Sequence, residues 1–167
     1  PRDEHAADAF GPRTLQRNGW ELGAQYERPV GGWVVGFSGG YVHADSDVAT
    51  GRADIRSWSV GAQARKGPLR IGGGYVDRGD SNLTIRGFNQ REWSGGVAWV
   101  QDRWGVGASA SRSTASTFRN ALIGVGGYYA VTSWATLRAD VVYVDQRFGT
   151  ATTERGAVGV AELAVHY

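Results

Sequence analysis

Three patterns in this chain of 167 residues predict an all-β fold: an antiparallel sheet built as a transmembrane β-barrel of the outer-membrane type. The first is alternation with a period of two. Toward the C-terminus Gly159, Ala161, Leu163, Val165 and Tyr167 fall on one face and Val160, Glu162, Ala164 and His166 on the other, as in a strand lying between two environments. The second is composition: 26 Gly, 7 Trp and 7 Tyr stand against 4 Pro and no Cys, with no apolar run near the ~18 residues a membrane helix requires. The third is the placing of aromatic residues at the ends of the alternating segments, where amphipathic rings meet a membrane–water boundary.

Taken in order, nine amphipathic segments are expected, at about 19–28, 32–44, 54–65, 69–77, 90–100, 104–113, 118–130, 135–145 and 156–167. In the first, Trp20, Leu22, Ala24 and Tyr26 alternate with Glu21, Gly23, Gln25 and Glu27. In the second, Trp33, Val35, Phe37, Gly39 and Tyr41 alternate with Val34, Gly36, Ser38, Gly40 and Val42, and the later segments repeat the grammar. Connectors are expected to be short at 29–31, 66–68, 101–103 and 131–134, and longer and polar at 45–53, 78–89, 114–117 and 146–155. Short turns on one rim and long loops on the other are the transmembrane arrangement, with the short turns periplasmic. The last strand then descends to the periplasmic rim, residues 19–167 supply the barrel strands, and residues 1–18 form an outer-rim loop or disordered segment. Single-chain bacterial barrels have even strand numbers, and nine is odd. Met is absent, and Arg2, Asp3, Glu4, Gly11 and Pro12 read poorly as a strand, so the chain is expected to be the C-terminal part of a larger barrel of about 16 strands.

Side-chain size decides which face meets lipid. One face carries the large apolar residues; the other carries Gly61, Gly72, Gly74, Gly96, Gly105, Gly107, Gly124 and Gly126 with Ser57, Ser59, Ser94, Ser109 and Thr136, too small and polar to fill a dry core. The bulky face is therefore assigned to hydrocarbon and the small face to a watery lumen. By the same parity Glu21, Gln25, Gln63, Arg65, Arg70, Arg78, Arg138, Asp140 and Glu162 are expected to line the pore, with Arg138 and Glu162 on neighbouring segments able to pair. Trp33 and Tyr41 bracket the second segment at a separation of ~26 Å of strand, or ~20 Å along the membrane normal after tilt. Trp33, Trp99, Trp104, Tyr26, Trp134 and Tyr167 are assigned to an inner membrane girdle, and Tyr41, Trp93, Trp58, Tyr75 and Tyr143 to an outer one.

Other chemistry finds little support. The 18 basic and 16 acidic residues are scattered, without the basic runs and interleaved stacking aromatics of a nucleic-acid binder. The absence of Cys excludes disulfides and thiolate sites. Residues 36–40, Gly-Phe-Ser-Gly-Gly, match the nucleophile-elbow pattern, and residues 105–110, Gly-Val-Gly-Ala-Ser-Ala, satisfy a loose dinucleotide pattern. Both sit inside strands, without the strand-to-helix turn the motifs require. His43, Asp45 and Asp47 cluster at a strand end, where some outer-membrane enzymes hold a general base, but turn-forming aspartates in a solvated loop are the reading the pattern favours. His5, His43 and His166 have no metal-ligand spacing, and no metal or cofactor is expected.

Residues 20–26 (Trp-Glu-Leu-Gly-Ala-Gln-Tyr), 58–64 (Trp-Ser-Val-Gly-Ala-Gln-Ala), 125–130 (Val-Gly-Gly-Tyr-Tyr-Ala) and 135–143, with the closing Tyr167, resemble strands of the Gram-negative general (diffusion) porins, in particular their C-terminal portion. The resemblance runs over about 19–167. It implies a barrel of about 16 strands, trimeric, passing small hydrophilic solutes and ions. In that family a constriction loop folds in from the N-terminal half, so the resemblance carries over only wall arginines, with Arg65, Arg70 and Arg138 as candidates. The expected function is passive diffusion through a water-filled channel in the bacterial outer membrane, without catalysis. The expected partners are membrane lipids, the solutes and further copies of the chain. Alternatives from other classes are an autotransporter-type translocator barrel, an outer-membrane enzyme using His43 and Asp45, and a soluble lipocalin-like binding barrel.

Overall fold

The computed structural model describes residues 16–46, 51–81, 83–84, 87–149 and 152–165, with the side chains of residues 16, 17 and 152 excepted. His5, Asp47, His166 and Tyr167 of the sequence reading lie outside the described residues, as does most of the segment expected at the outer rim. The nine expected strands are present: β1 (Gln16–Val30), β2 (Trp33–Ser46), β3 (Ile55–Lys66), β4 (Leu69–Gly79), β5 (Gln90–Val100), β6 (Trp104–Ala115), β7 (Phe118–Ala130), β8 (Ala135–Phe148) and β9 (Thr152–Val165). They form one sheet in chain order, every neighbouring pair antiparallel. This meander is the simplest consequence of alternating strands joined by tight connections.

The turns explain themselves locally. Gly31 and Gly32 both hold positive φ, 56° and 80°, as a two-residue hairpin turn demands, and they join β1 to β2. Two connectors depart from expectation. Only Ser116 and Thr117 separate β6 from β7, with Ser116 at φ 53°, and β8 runs on to Phe148 before β9 opens at Thr152. Residues 114–115, 146–148 and 152–155 look like loop in sequence, yet cross-strand pairing absorbs them into the ladder: Thr114 faces Arg119, Gln146 faces Glu154. Long connectors on this rim are therefore confined to β2–β3 and β4–β5. β1 also starts earlier than expected, at Gln16, with a bulge between Arg17 and Trp20 and Asn18 at φ 51°. Successive rim connections are laced together: Ala53 N donates to Leu83 O (2.8 Å), Ser116 N to Phe88 O (2.5 Å) and Gly149 N to Thr117 O (3.3 Å). Asp80 accepts from Gly87 N and Asn89 N at 2.7 and 3.0 Å, closing the β4–β5 loop on itself.

The sheet has no dry interior. Among the described residues only Ala44 and Ala135 are buried hydrophobics, and no large side chain is fully buried. Leu22 (67% exposed), Val125 (60%) and Val141 (56%) present their apolar bodies outward from a single layer. In water such a face would be an aggregation surface; hydrocarbon is the solvent in which it costs nothing.

Candidate functional site

Register fixes what shares a face. Across β2–β8, Phe37, Ala62, Gly73, Gly95, Ala110, Ile123 and Tyr143 follow one another as paired positions. The next row toward the β3–β4 turn is Ala64, Ile71, Val97, Ala108, Val125, Val141 and Gly159. Both rows belong to the apolar face. On the opposite face, Gln63 pairs with Gly72, Gly72 with Gly96, Gly96 with Ser109 and Ser109 with Gly124. A one-residue slip in any pair would exchange the faces, and the ladders of β2–β3 and β5–β9 run without one.

The polar face is hollowed. Gln63, Arg70, Gly72, Gly96, Ser109, Gly124 and Asp140 line an open groove of about 490 Å³, and Gln25, Ser38, Gly61 and Ser94 line a second of about 420 Å³. A third, of about 470 Å³, takes in Tyr128, Thr136, Arg138 and Asp140. Glycine gives this surface its shape. The Gln63 side chain lies over Gly36, where an added Cβ would stand 3.1 Å from it, and the Tyr128 ring lies over Gly105, where a Cβ would stand 2.6 Å from Cε1. Asp140 covers Gly126 in the same way. Long side chains thus fold flat along the wall instead of projecting across it.

The charges on this face form spaced pairs. Arg65 Nη2 donates to Glu27 Oε1 at 2.6 Å across β1–β3, spanning β2 at Gly36 and Val34. Arg78 and Glu92 stand 3.7 Å apart, and Arg138 and Glu162, directly opposite in the β8–β9 register, 4.0 Å. Each partner is roughly half exposed, so each pair contributes at most ~1 kcal/mol, and its role is to hold a charge in place. Arg70 sits opposite Arg65 in the β3–β4 register and, with Glu21 and Asp140, makes no ion pair among the described residues. Glu92 and Tyr128 were missed from sequence as members of this face, although simple parity from Ser94 and Gly126 would have found them; Glu27 was placed on it by alternation but not counted among the pore-lining residues.

The aromatics of the other face meet in pairs at one level. Trp20 and Tyr41 lie 5.2 Å apart by ring centroid, as do Trp58 and Tyr75. Tyr75 is register-paired with Trp93, and toward the short turns Trp99 pairs with Leu69 and Trp104 with Tyr129. Trp33 is capped by Lys66 Nζ 5.8 Å above its ring. Tyr26 and Tyr143 are exposed on the same side by register, and Trp134, in the connector between β7 and β8, is exposed. His43 belongs to this outer face too, 5.7 Å from the Trp20 ring, with Nε2 3.2 Å from Asp45 Oδ1; Asn18 Nδ2 donates to Asp45 Oδ2 at 3.0 Å. The pair is therefore not in the groove, and no group of acidic and histidine residues able to hold a metal occurs among the described residues.

A single meandering sheet with no dry core, large apolar side chains on one face and a glycine-paved, charged wall on the other defines a membrane β-barrel wall. The family described as Gram-negative porin matches residues 2–149, and the chain belongs to that family. A solved structure described as a porin refined at 1.8 Å resolution superposes with a TM-score of 0.56 at 18% sequence identity, over 86% of this chain and 50% of that one. The chain spans about half the length of the porin it matches. No curated protein matches the sequence. The fold is that of a porin β-barrel, consistent with its C-terminal portion, and the protein resides in the bacterial outer membrane. A soluble binding barrel is thereby set aside.

Proposed function

We propose that these strands form part of the wall of a water-filled channel through which small hydrophilic solutes and ions diffuse passively, without catalysis. The observation that carries this reading is the polar face: glycine and serine at mid-height, with guanidinium and carboxylate groups laid along the wall. Sixteen-stranded barrels leave an aqueous lumen, whereas about eight strands leave an interior that side chains fill. Among the described residues β1 and β9 each have one sheet neighbour, and closure of the barrel in this reading is completed by further strands.

In this reading Glu21, Gln25, Gln63, Arg65, Arg70, Arg78, Arg138, Asp140 and Glu162 line the pore, joined by Glu27 and Glu92. Tyr26, Trp33, Trp99, Trp104 and Trp134 form the periplasmic girdle, and Tyr41, Trp58, Tyr75, Trp93 and Tyr143 the outer one. Fixed wall charges give a mild ionic preference, because a low-dielectric wall focuses their field into the lumen. Further copies of the chain complete a trimer, as the family resemblance implies. The test is conductance in planar bilayers. Stepwise ohmic openings by the natively assembled protein are expected, and a folded, inserted protein that leaves the bilayer silent would overturn the proposal.

A further inference from the structure

Two phenylalanines stand on the wall side at the loop rim, where neither a lipid-facing row nor a girdle accounts for them. By register Phe118 of β7 and Phe148 of β8 share the parity of Gly124 and Val142, whereas the tryptophans of β1–β6 lie on the apolar face. Phe118 and Phe148 are directly paired, with ring centroids 5.0 Å apart and planes tilted by 55°. Phe148 is 46% exposed. Rings turned toward water forgo the burial that would otherwise stabilise them, and side by side they make an apolar ledge. A phenyl ring also lacks the polar tip that places Trp and Tyr in a headgroup layer.

One step below the ledge the wall is polar. Ser113, Asn120 and Gln146 follow one another as paired positions across β6–β8. Asn120 Oδ1 is buried and has no hydrogen-bond partner among the described residues. A buried amide oxygen left unmatched is costly, and its presence is explained when a donor from outside the chain reaches it. Phe118 and Ser113, the neighbours of Asn120 along β7 and across to β6, also line a cavity of about 190 Å³ with Arg78, Gln90 and Glu92. Gln90 Nε2 donates to Ser81 O at 3.3 Å, which holds that amide at the cavity edge.

The cavity is electrically matched. Arg78 and Glu92 stand 3.7 Å apart, and Arg91, at the margin, is 3.2 Å from Asp77. Each guanidinium has its carboxylate, so an ion or a zwitterion would have to break an existing pair to bind. What the site offers is a group of neutral donors and acceptors next to an apolar ledge. A sugar ring presents the complement: hydroxyls that both donate and accept around its edge, and a C–H face that packs on aromatic carbon. We propose that the wall at the loop rim carries a carbohydrate subsite, in which Phe118 and Phe148 take the C–H face of a neutral hexose unit and Ser113, Gln90 and Asn120 its hydroxyls. The subsite rests on the reading of this face as the lumen wall, and it gives passage a preference among uncharged solutes.

The test titrates the natively assembled protein in mild detergent with maltose, followed by saturation-transfer NMR, and repeats the titration in planar bilayers, where an occupied mouth interrupts the ion current. Leucine, a zwitterion with an apolar side chain, and sodium sulfate serve as comparison probes. Maltose is expected to saturate both readouts at the same concentration, with neither comparison probe competing. Phe118→Ala should raise the half-saturating concentration about tenfold and Asn120→Leu about fivefold. Since Asn120 Oδ1 has no partner among the described residues, Asn120→Leu should keep at least the thermal midpoint of the parent. That readout separates a ligand contact from a structural one, and the variant keeps the test alive if Phe118→Ala does not fold. A conducting protein without a saturable maltose signal would overturn the inference and leave the channel reading standing. Parental affinity in both variants, or displacement of maltose by leucine or sulfate, would overturn it equally. A protein that binds maltose saturably yet leaves the bilayer silent would uphold the subsite and sink the channel reading alone.

Discussion

Val97 and Ser109 sit on adjacent strands at nearly the same depth and on opposite faces, which makes them a direct test of which side meets the membrane. Val97 is 47% exposed, pairs with Ile71 and Ala108, and is one residue from the midpoint between Trp93 and Trp99. Ser109 pairs with Gly96 and Gly124 and borders the groove of about 490 Å³. Placing an arginine on the lipid face near the bilayer midplane costs about 2–4 kcal/mol. At ~3 kcal/mol the folded-to-unfolded ratio of Val97→Arg falls by about 150-fold. Ser109→Arg enters water, with two glycines beside it to receive the longer side chain, and should stay within about 0.5 kcal/mol of the parent. Reversible guanidinium unfolding from lipid vesicles, followed by tryptophan fluorescence, measures both. Single-channel recording should show reduced current for Ser109→Arg and unaltered current for the surviving population of Val97→Arg. A neutral Val97→Arg alongside a Ser109→Arg that loses about 3 kcal/mol would refute the assignment of faces.

Neutralising Glu27 by Glu27→Gln removes the 2.6 Å partner of Arg65 and leaves two guanidiniums, Arg65 and Arg70, facing each other on the polar wall. The reversal potential in a salt gradient should move toward anion preference while stability changes by less than about 1 kcal/mol, and an unmoved potential would count against a lumen position. A double-mutant cycle on Arg138 and Glu162, 4.0 Å apart and half exposed, should return a coupling below about 0.5 kcal/mol; a coupling several times larger would mean the pair is tighter and drier than its geometry indicates. Gly127→Val drives a Cβ to 2.7 Å from the Gly105 carbonyl oxygen and should destabilise by about 1–3 kcal/mol, whereas Gly156→Ala meets nothing within 4 Å and should change stability by less than about 0.5 kcal/mol, both read by the same unfolding assay.

Much of the architecture was readable before any coordinates because a strand between lipid and water writes its environment into every second residue. Phe37, Val97 and Leu137 against Gly36, Gly96 and Arg138 are enough to give strand, face and approximate limits, and all nine strands formed where that alternation ran. The same local rule failed at 114–115, 146–148 and 152–155, where polar residues on both faces hide the alternation. Thr114, Gln146 and Glu154 are strand because a neighbour was there to pair with, a long-range fact that composition does not carry.

Period, face and the residues able to turn are local properties of the chain, since they depend on side chains one or two positions apart. Registry is not local, and registry is what brings Arg65 to Glu27, lays Tyr128 over Gly105 and sets Arg119 against Arg147. Each of those contacts joins residues far apart in the chain through backbone hydrogen bonds that any alternating pair of strands would accept. Only the whole ladder, with turns of fixed length at its ends, selects one alignment among many.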